Sequence, residues 1–254
     1  MKAVLRFLAA FGNSFPLQVL LFLSIYPYAL SAQKKQGVRR KQIFIGTNFS
    51  PDYSFRTLTN TDGSSSSGAV INNRNSIERA KFGFTSGIGV SIEVSQSLAF
   101  ETGLQISNKG YKTKSLDLVF AQPDPALPIR ASFMYSYQYV GIPLKGTFTL
   151  GKNRLRFLPG MGIMTNILVH QKVTSQQEYP GGKTDIKSQS STADYKKVDI
   201  SPMISLGIKY RINSKTYITA EPTFRYGLIK TRDAAIAEHL WSAGFNCGVY
   251  YRVR

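Results

Sequence analysis

The chain is nearly without cysteine. Cys247 stands alone among 254 residues, so no intrachain disulfide and no cysteine metal site can form. Histidine is almost as scarce: His170 and His239 are the only two, which excludes a multi-histidine metal centre. Acidic residues are few, 14 against 32 Lys and Arg, and the net charge of +18 favours an anionic partner. Charged residues make up 18% of the chain and hydrophobic ones 43%, which is too apolar for a disordered chain. No G-x-x-x-x-G-K-S/T phosphate loop and no G-x-S-x-G nucleophile elbow occurs. From Gln33 onward there is no helical apolar stripe, and no apolar run approaches a membrane-spanning helix.

What is present begins with an address. Lys2 and Arg6 precede an apolar run densest over Leu17–Ile25, and Leu30-Ser31-Ala32 offers small residues for cleavage. This is the secretory pattern, with cleavage expected after Ala32. Pro16 and Pro27 bracket the run and leave it too short to span a bilayer. Residues 1–32 are therefore expected to be a signal peptide. Residues 33–42, carrying Lys34, Lys35, Arg39, Arg40 and Lys41, read as a basic segment at the periplasmic leaflet, and 43–254 as one barrel domain.

Nearly everything else has period two. Phe82, Phe84, Ile88, Val90, Ile92 and Val94 alternate with Gly83, Thr85, Gly87, Gly89, Ser91 and Glu93. The same alternation recurs over 198–211, 218–228 and 241–251. About eight strands follow, near 43–56, 79–95, 98–111, 132–150, 154–170, 196–212, 216–230 and 239–253. Short turns alternate with long polar connections at 57–78, 112–131, 171–195 and 231–238. An even number of long strands, joined tightly on one side and loosely on the other, predicts an all-β fold. It is an eight-stranded antiparallel up-and-down transmembrane β-barrel in the outer membrane, with the long loops outside the cell. Aromatic belts are expected from Tyr53, Phe55, Phe82, Phe84, Phe224, Tyr226 and Trp241 on the outer side. The inner belt is expected from Phe100, Phe148, Phe157, Tyr210, Tyr217 and Tyr251.

The segments Leu98-Ala99-Phe100-Glu101-Thr102-Gly103-Leu104, Lys109-Gly110-Tyr111, Tyr139-Val140-Gly141-Ile142-Pro143-Leu144-Lys145 and Phe157-Leu158-Pro159-Gly160-Met161-Gly162 resemble the PorT-like family of outer-membrane β-barrel proteins. The resemblance implies an eight-stranded outer-membrane barrel; its named member is linked to protein secretion, a role that barrel motifs alone do not carry over. The carrying motifs identify a barrel, not a reaction. One departure is the C-terminus, Tyr251-Arg252-Val253-Arg254, where such barrels often end on an aromatic residue.

The polar face mixes glycine and serine with Glu93, Glu101, Lys145, Arg156, Asp199, Lys209, Glu221 and Arg225. Small residues beside opposite charges suit a narrow lumen filled by a pairing network, not a diffusion pore. His170 and His239 fall at the outer rim, where catalysis would need a base beside a nucleophile. Cys247 falls on the lipid-facing set. Arg74, Arg79, Lys81, Lys112 and Lys114 mark loop bases near lipid phosphates. The leading expectation is a monomeric, non-enzymatic barrel with no cofactor and no nucleic-acid partner. Its partners would be outer-membrane lipids, and it would act through its extracellular loops or through contacts with other envelope or secretion proteins. The alternatives are a rim-active lipid or peptide hydrolase and a secreted soluble ligand-binding β-barrel.

Overall fold

A computed structural model of the protein describes residues 41–254 apart from 123 and 125. The expected signal peptide and all but the last two residues of the basic segment lie outside the described residues. Among the described residues, ten strands and one helix follow in the order β1 (Gln42–Asn60), α1 (Ser65–Ile77), β2 (Glu78–Glu93), β3 (Leu98–Thr113), β4 (Leu116–Asp117), β5 (Arg130–Phe148), β6 (Leu155–Glu178), β7 (Thr184–Ser190), β8 (Val198–Arg211), β9 (Thr216–Tyr226) and β10 (Ile236–Arg252).

Eight strands close a ring in the order β1-β2-β3-β5-β6-β8-β9-β10, with β10 pairing back to β1. Each named pairing is antiparallel between ring neighbours that follow one another along the chain, once β4 and β7 are set aside. Closure leaves the wall no free edge, which a bilayer demands because lipid offers backbone groups no hydrogen bonds. The alternation sorts the side chains. Phe49, Ile88, Phe100, Leu104, Ile163, Ile204 and Phe245 are exposed on the outside, while Asn48, Thr85, Glu101, Lys145, Ser205, Glu221 and Asn246 face the closed interior.

Two glycines show why the polar face is so rich in small residues. A methyl group on Gly244 would fall on Asp52, and one on Gly207 would fall on Glu221. The lumen is filled by long charged side chains lying over positions with no side chain at all.

The strands run further at the long-loop end than the alternation predicts. β1 continues to Asn60, and β6 reaches Glu178, where it pairs with β7. With β4 on the far side of β5, this makes a four-stranded sheet, β4-β5-β6-β7, rising beyond the ring. The expected polar loop at 57–78 instead holds α1. Its sequence has no apolar stripe because it is held by polar tethers. Ser64 caps it by accepting from the Ser67 N–H at 3.1 Å, and Ser67 Oγ donates to Asp62 at 3.0 Å. The outer aromatic group is contiguous, with Tyr53–Phe82 centroids 5.6 Å apart and Trp241 between Phe55 and Phe224 at 6.2 and 6.0 Å. Tyr217 does not join the inner belt. It is an odd-numbered residue on a strand whose odd positions face inward, and it is 1% exposed in the lumen.

Candidate functional site

The interior is built in layers along the strands. At the short-turn end, Phe44, Tyr217 and Tyr250 form an aromatic floor, with ring centroids 4.8 and 5.0 Å apart. Lys209 Nζ lies 3.7 Å from the Tyr217 ring centre and pairs with Glu93, which Arg211 also approaches at 3.9 Å. Above this, Lys145 Nζ sits between two carboxylates, Glu101 at 2.9 Å and Glu221 at 2.8 Å. Ser205 donates a further bond to Glu221 at 2.9 Å. The next layer is centred on Asp52, which accepts from Ser50 at 2.6 Å, Thr85 at 2.5 Å and Arg225 at 3.3 Å.

Asp199 accepts from Ser201 at 2.6 Å and Asn166 at 3.2 Å. Lys109, fully buried, lies 5.6 Å from the Tyr139 ring. At the long-loop end Arg56 binds Glu78 at 2.6 Å. Arg74, reaching in from α1, binds Glu78 at 2.6 Å and Glu238 at 2.9 Å, and Tyr111 and Tyr137 donate to the same Glu238 at 2.9 and 3.2 Å. Partial burial pulls the Arg74 guanidinium down, but its bonds to Glu78 and Glu238 outweigh that and hold it above its ordinary value.

Apart from Lys109, whose one close contact is the Tyr139 ring, each buried charge named here has a partner of opposite sign or several hydrogen bonds, the condition under which low dielectric tolerates it. A cavity of about 20 Å³, lined among others by Asn48, Glu101, Gln105, Lys145 and Arg225, interrupts the packing, and it has room for a single water.

The structure brings six of the eight sequence-derived lumen charges into ion pairs: Glu93, Glu101, Lys145, Lys209, Glu221 and Arg225. It does not so join the other two. Arg156 is the second residue of β6, so its side chain stays at the short-turn mouth, where Nε donates to the Asn153 carbonyl at 3.0 Å. Asp199 lies at the opposite end of β8 and takes neutral donors. Sequence reasoning missed Asp52, Arg56, Glu78, Lys109 and Glu238 as lumen groups. The inward run Asn48, Ser50, Asp52, Ser54, Arg56 on β1 carries the signal, and all five are buried. Arg74 is a correction as well: it enters the charge network and does not mark a loop base at the lipid. Lys81 likewise donates to Asn108 at 2.6 Å and Ser136 at 2.8 Å.

The histidines stand apart, on β6 and β10, with β8 and β9 between them. His170 Nε2 is 3.4 Å from Ser190 Oγ, and His239 Nδ1 is 3.2 Å from the Gly227 carbonyl, stacked on Tyr226. Among the described residues neither has a carboxylate partner to orient it as a base. Cys247 is exposed on the lipid-facing side.

Comparison with known proteins gives a family. Residues 32–233 match the family described as outer membrane protein beta-barrel domain. Among solved structures the chain is similar to the outer membrane protein OprG from Pseudomonas aeruginosa, at 11% identity over 87% of this chain and 100% of that one, with a TM-score of 0.45. It is also similar to Neisserial surface protein A, at 10% identity over 83% and 99%, with a TM-score of 0.40. A third is the outer membrane protease OmpT from Escherichia coli, at 8% identity over 84% and 95%, with a TM-score of 0.37. Comparison with curated proteins yields no match.

Proposed function

This chain belongs to the outer membrane protein beta-barrel domain family and lies in the lipid bilayer of the outer membrane, and from that premise we propose that it is a closed, non-enzymatic, monomeric scaffold. It works through its long-loop end, which faces outside the cell while the short turns face the periplasm. The observation that carries this reading is a contrast between two parts of the same strands. Inside the ring, paired charges and tyrosines fill the space from Glu93 to Glu238. Beyond it, the strands continue into α1 and the β4-β5-β6-β7 sheet, which present free surface.

That surface includes large apolar side chains with no lipid to cover them: Val119 is 94% exposed and Ile186 63%. Apolar groups at water-facing positions on a rigid support mark contact sites. The partners that fit are other envelope proteins.

The test is complementation. A chain with residues 118–129 and 179–190 replaced by short Gly-Ser turns should still reach the outer membrane and still shift mobility on unheated gels. It should fail to restore the envelope phenotype of a deletion strain. Full restoration would overturn the reading and move the function to the short-turn end.

A further inference from the structure

The short-turn end carries a charge imbalance that the lumen network does not absorb. Lys152 and Arg154 precede β6 and Arg156 is its second residue, Arg211 and Lys215 flank the β8–β9 turn, and Arg252 ends β10 with Arg254 two residues beyond. The acidic side chain at these strand ends, Glu93, is already engaged with Lys209 and Arg211. Among the described residues, Arg154, Arg156, Lys215 and Arg252 enter no ion pair. Residues 1–40 contain no Asp or Glu.

The fold gathers these cations into one arc. The Arg211 N–H donates to the Arg154 carbonyl at 2.9 Å, and the Arg252 N–H to the Lys215 carbonyl at 2.7 Å. Arg156 is paired in register directly opposite Lys209, another cation. The arc therefore runs through β6, β8, β9 and β10, which are consecutive in the ring. On the other side of the mouth the β2–β3 turn, Val94-Ser95-Gln96-Ser97, carries no charge.

Alternation decides which way the arc looks. Leu155, Ile212, Tyr251 and Val253 are exposed on the lipid-facing set. Arg154, Arg156, Arg211 and Arg252 have the opposite parity on the same strand ends and so crown the mouth, away from the bilayer. The aromatic floor of Phe44, Tyr217 and Tyr250 lies just behind and bars entry to the lumen. A ligand must lie across the mouth. Neighbouring strands are about 4.8 Å apart, so four strands span about 14 Å, too far for one phosphate and well matched to an extended segment of about four or five residues.

We propose that this one-sided basic mouth docks an acidic, extended segment of a periplasmic protein. The location in the periplasm rests on the topology proposed above. A second copy of this chain would bring like charge to like charge, and bilayer headgroups would meet the apolar parity of the strand ends.

The test uses the full barrel in nanodiscs of phosphatidylcholine alone. The probe is a fluorescent 16-residue peptide of alternating Glu and Gly-Ser residues, with its Gln counterpart as control. The Glu peptide should bind and weaken with salt, and the Gln peptide should not bind. The triple variant Arg154→Gln/Lys215→Gln/Arg252→Gln should lose affinity about tenfold. Removing three cations from the other end, Lys183→Gln/Lys187→Gln/Lys197→Gln, should change it less than about twofold. Folding is checked by gel shift, and Lys152→Gln/Lys215→Gln, confined to turns, serves if the triple variant fails to fold. Equal losses at both ends, or no binding, would overturn the proposal. So would binding that appears only as anionic-vesicle flotation with phosphatidylglycerol and is weakened by the triple variant, since the occupant would then be lipid. Labelling of Lys215→Cys in a Cys247→Ser chain by an impermeant maleimide on intact cells would overturn the topology separately, whatever the peptide does.

Discussion

Glu101 and Lys145 stand directly opposite each other on β3 and β5, their charged groups 2.9 Å apart inside the ring. Two of the motif segments that carry the family resemblance are thus joined by an ion pair, and Lys145 extends the link across the lumen to Glu221 on β9. The motifs hold the wall together, which explains why they signify a barrel and not a reaction.

From that geometry the three substitutions should rank. Glu101→Gln leaves Lys145 its second carboxylate and should cost about 1–2 kcal/mol. Glu221→Gln should cost more, because Glu221 is the more deeply buried and also holds Ser205. Lys145→Met leaves two carboxylates facing each other without a cation and should cost about 3–5 kcal/mol. Unfolding midpoints in urea, read by mobility on unheated gels, check the order. Equal midpoints would reject the pairing as a stabilising element.

Arg74 and Arg56 can be tested in a similar assay. Arg74 tethers α1 from outside the ring and is partly exposed, whereas Arg56 is buried beneath it. Arg74→Ala should speed proteolysis within 61–77 and should lower the barrel's midpoint as well, because the buried Glu238 loses its ion-pair partner. Arg56→Met should lower the midpoint, because Glu78 loses a buried partner. Identical proteolysis rates for Arg74→Ala and wild type would show that the tether does not hold the helix.

The wall was legible because period two is a local property: Phe82 through Val94 alternates in plain view. The lumen was legible only where that alternation is unbroken. On β1, Pro51 and the aromatic Phe49, Tyr53 and Phe55 mask a polar inward run, and Asp52 and Arg56 were lost with it. The helix at Ser65–Ile77 has no apolar stripe to read, since beyond its local Ser64 cap it is fixed by Arg74 and Asn75 contacts to Glu238 and Arg56, far off in sequence. Extension of β6 to Glu178 depends on its pairing with β5 and β7, and no window of sequence contains that partner choice.

Asp233 gives a pH dependence at the long-loop end. Hydrogen bonds from Lys196 and Lys230 lower its carboxyl from 3.8 to about 2. A carboxyl lowered on folding contributes above its unfolded value and loses that contribution as the folded group protonates. The tie between loops 191–197 and 227–235 should therefore hold down to pH 3.8 and loosen from there to about 2. Acid-protease cleavage of these loops should rise over that window, and Asp233→Asn should cleave at the high rate throughout. A rise centred near neutral pH would assign the loop contact to other groups.

Single-channel recording of the purified barrel in planar bilayers at high potassium chloride tests the closed lumen most directly. With Lys145 between Glu101 and Glu221, Arg225 on Asp52, and Arg56 and Arg74 under the mouth, the protein should insert without stable conductance steps. Steady ohmic steps from folded, gel-shifting protein would contradict the account, because the charges described here would then line a pore.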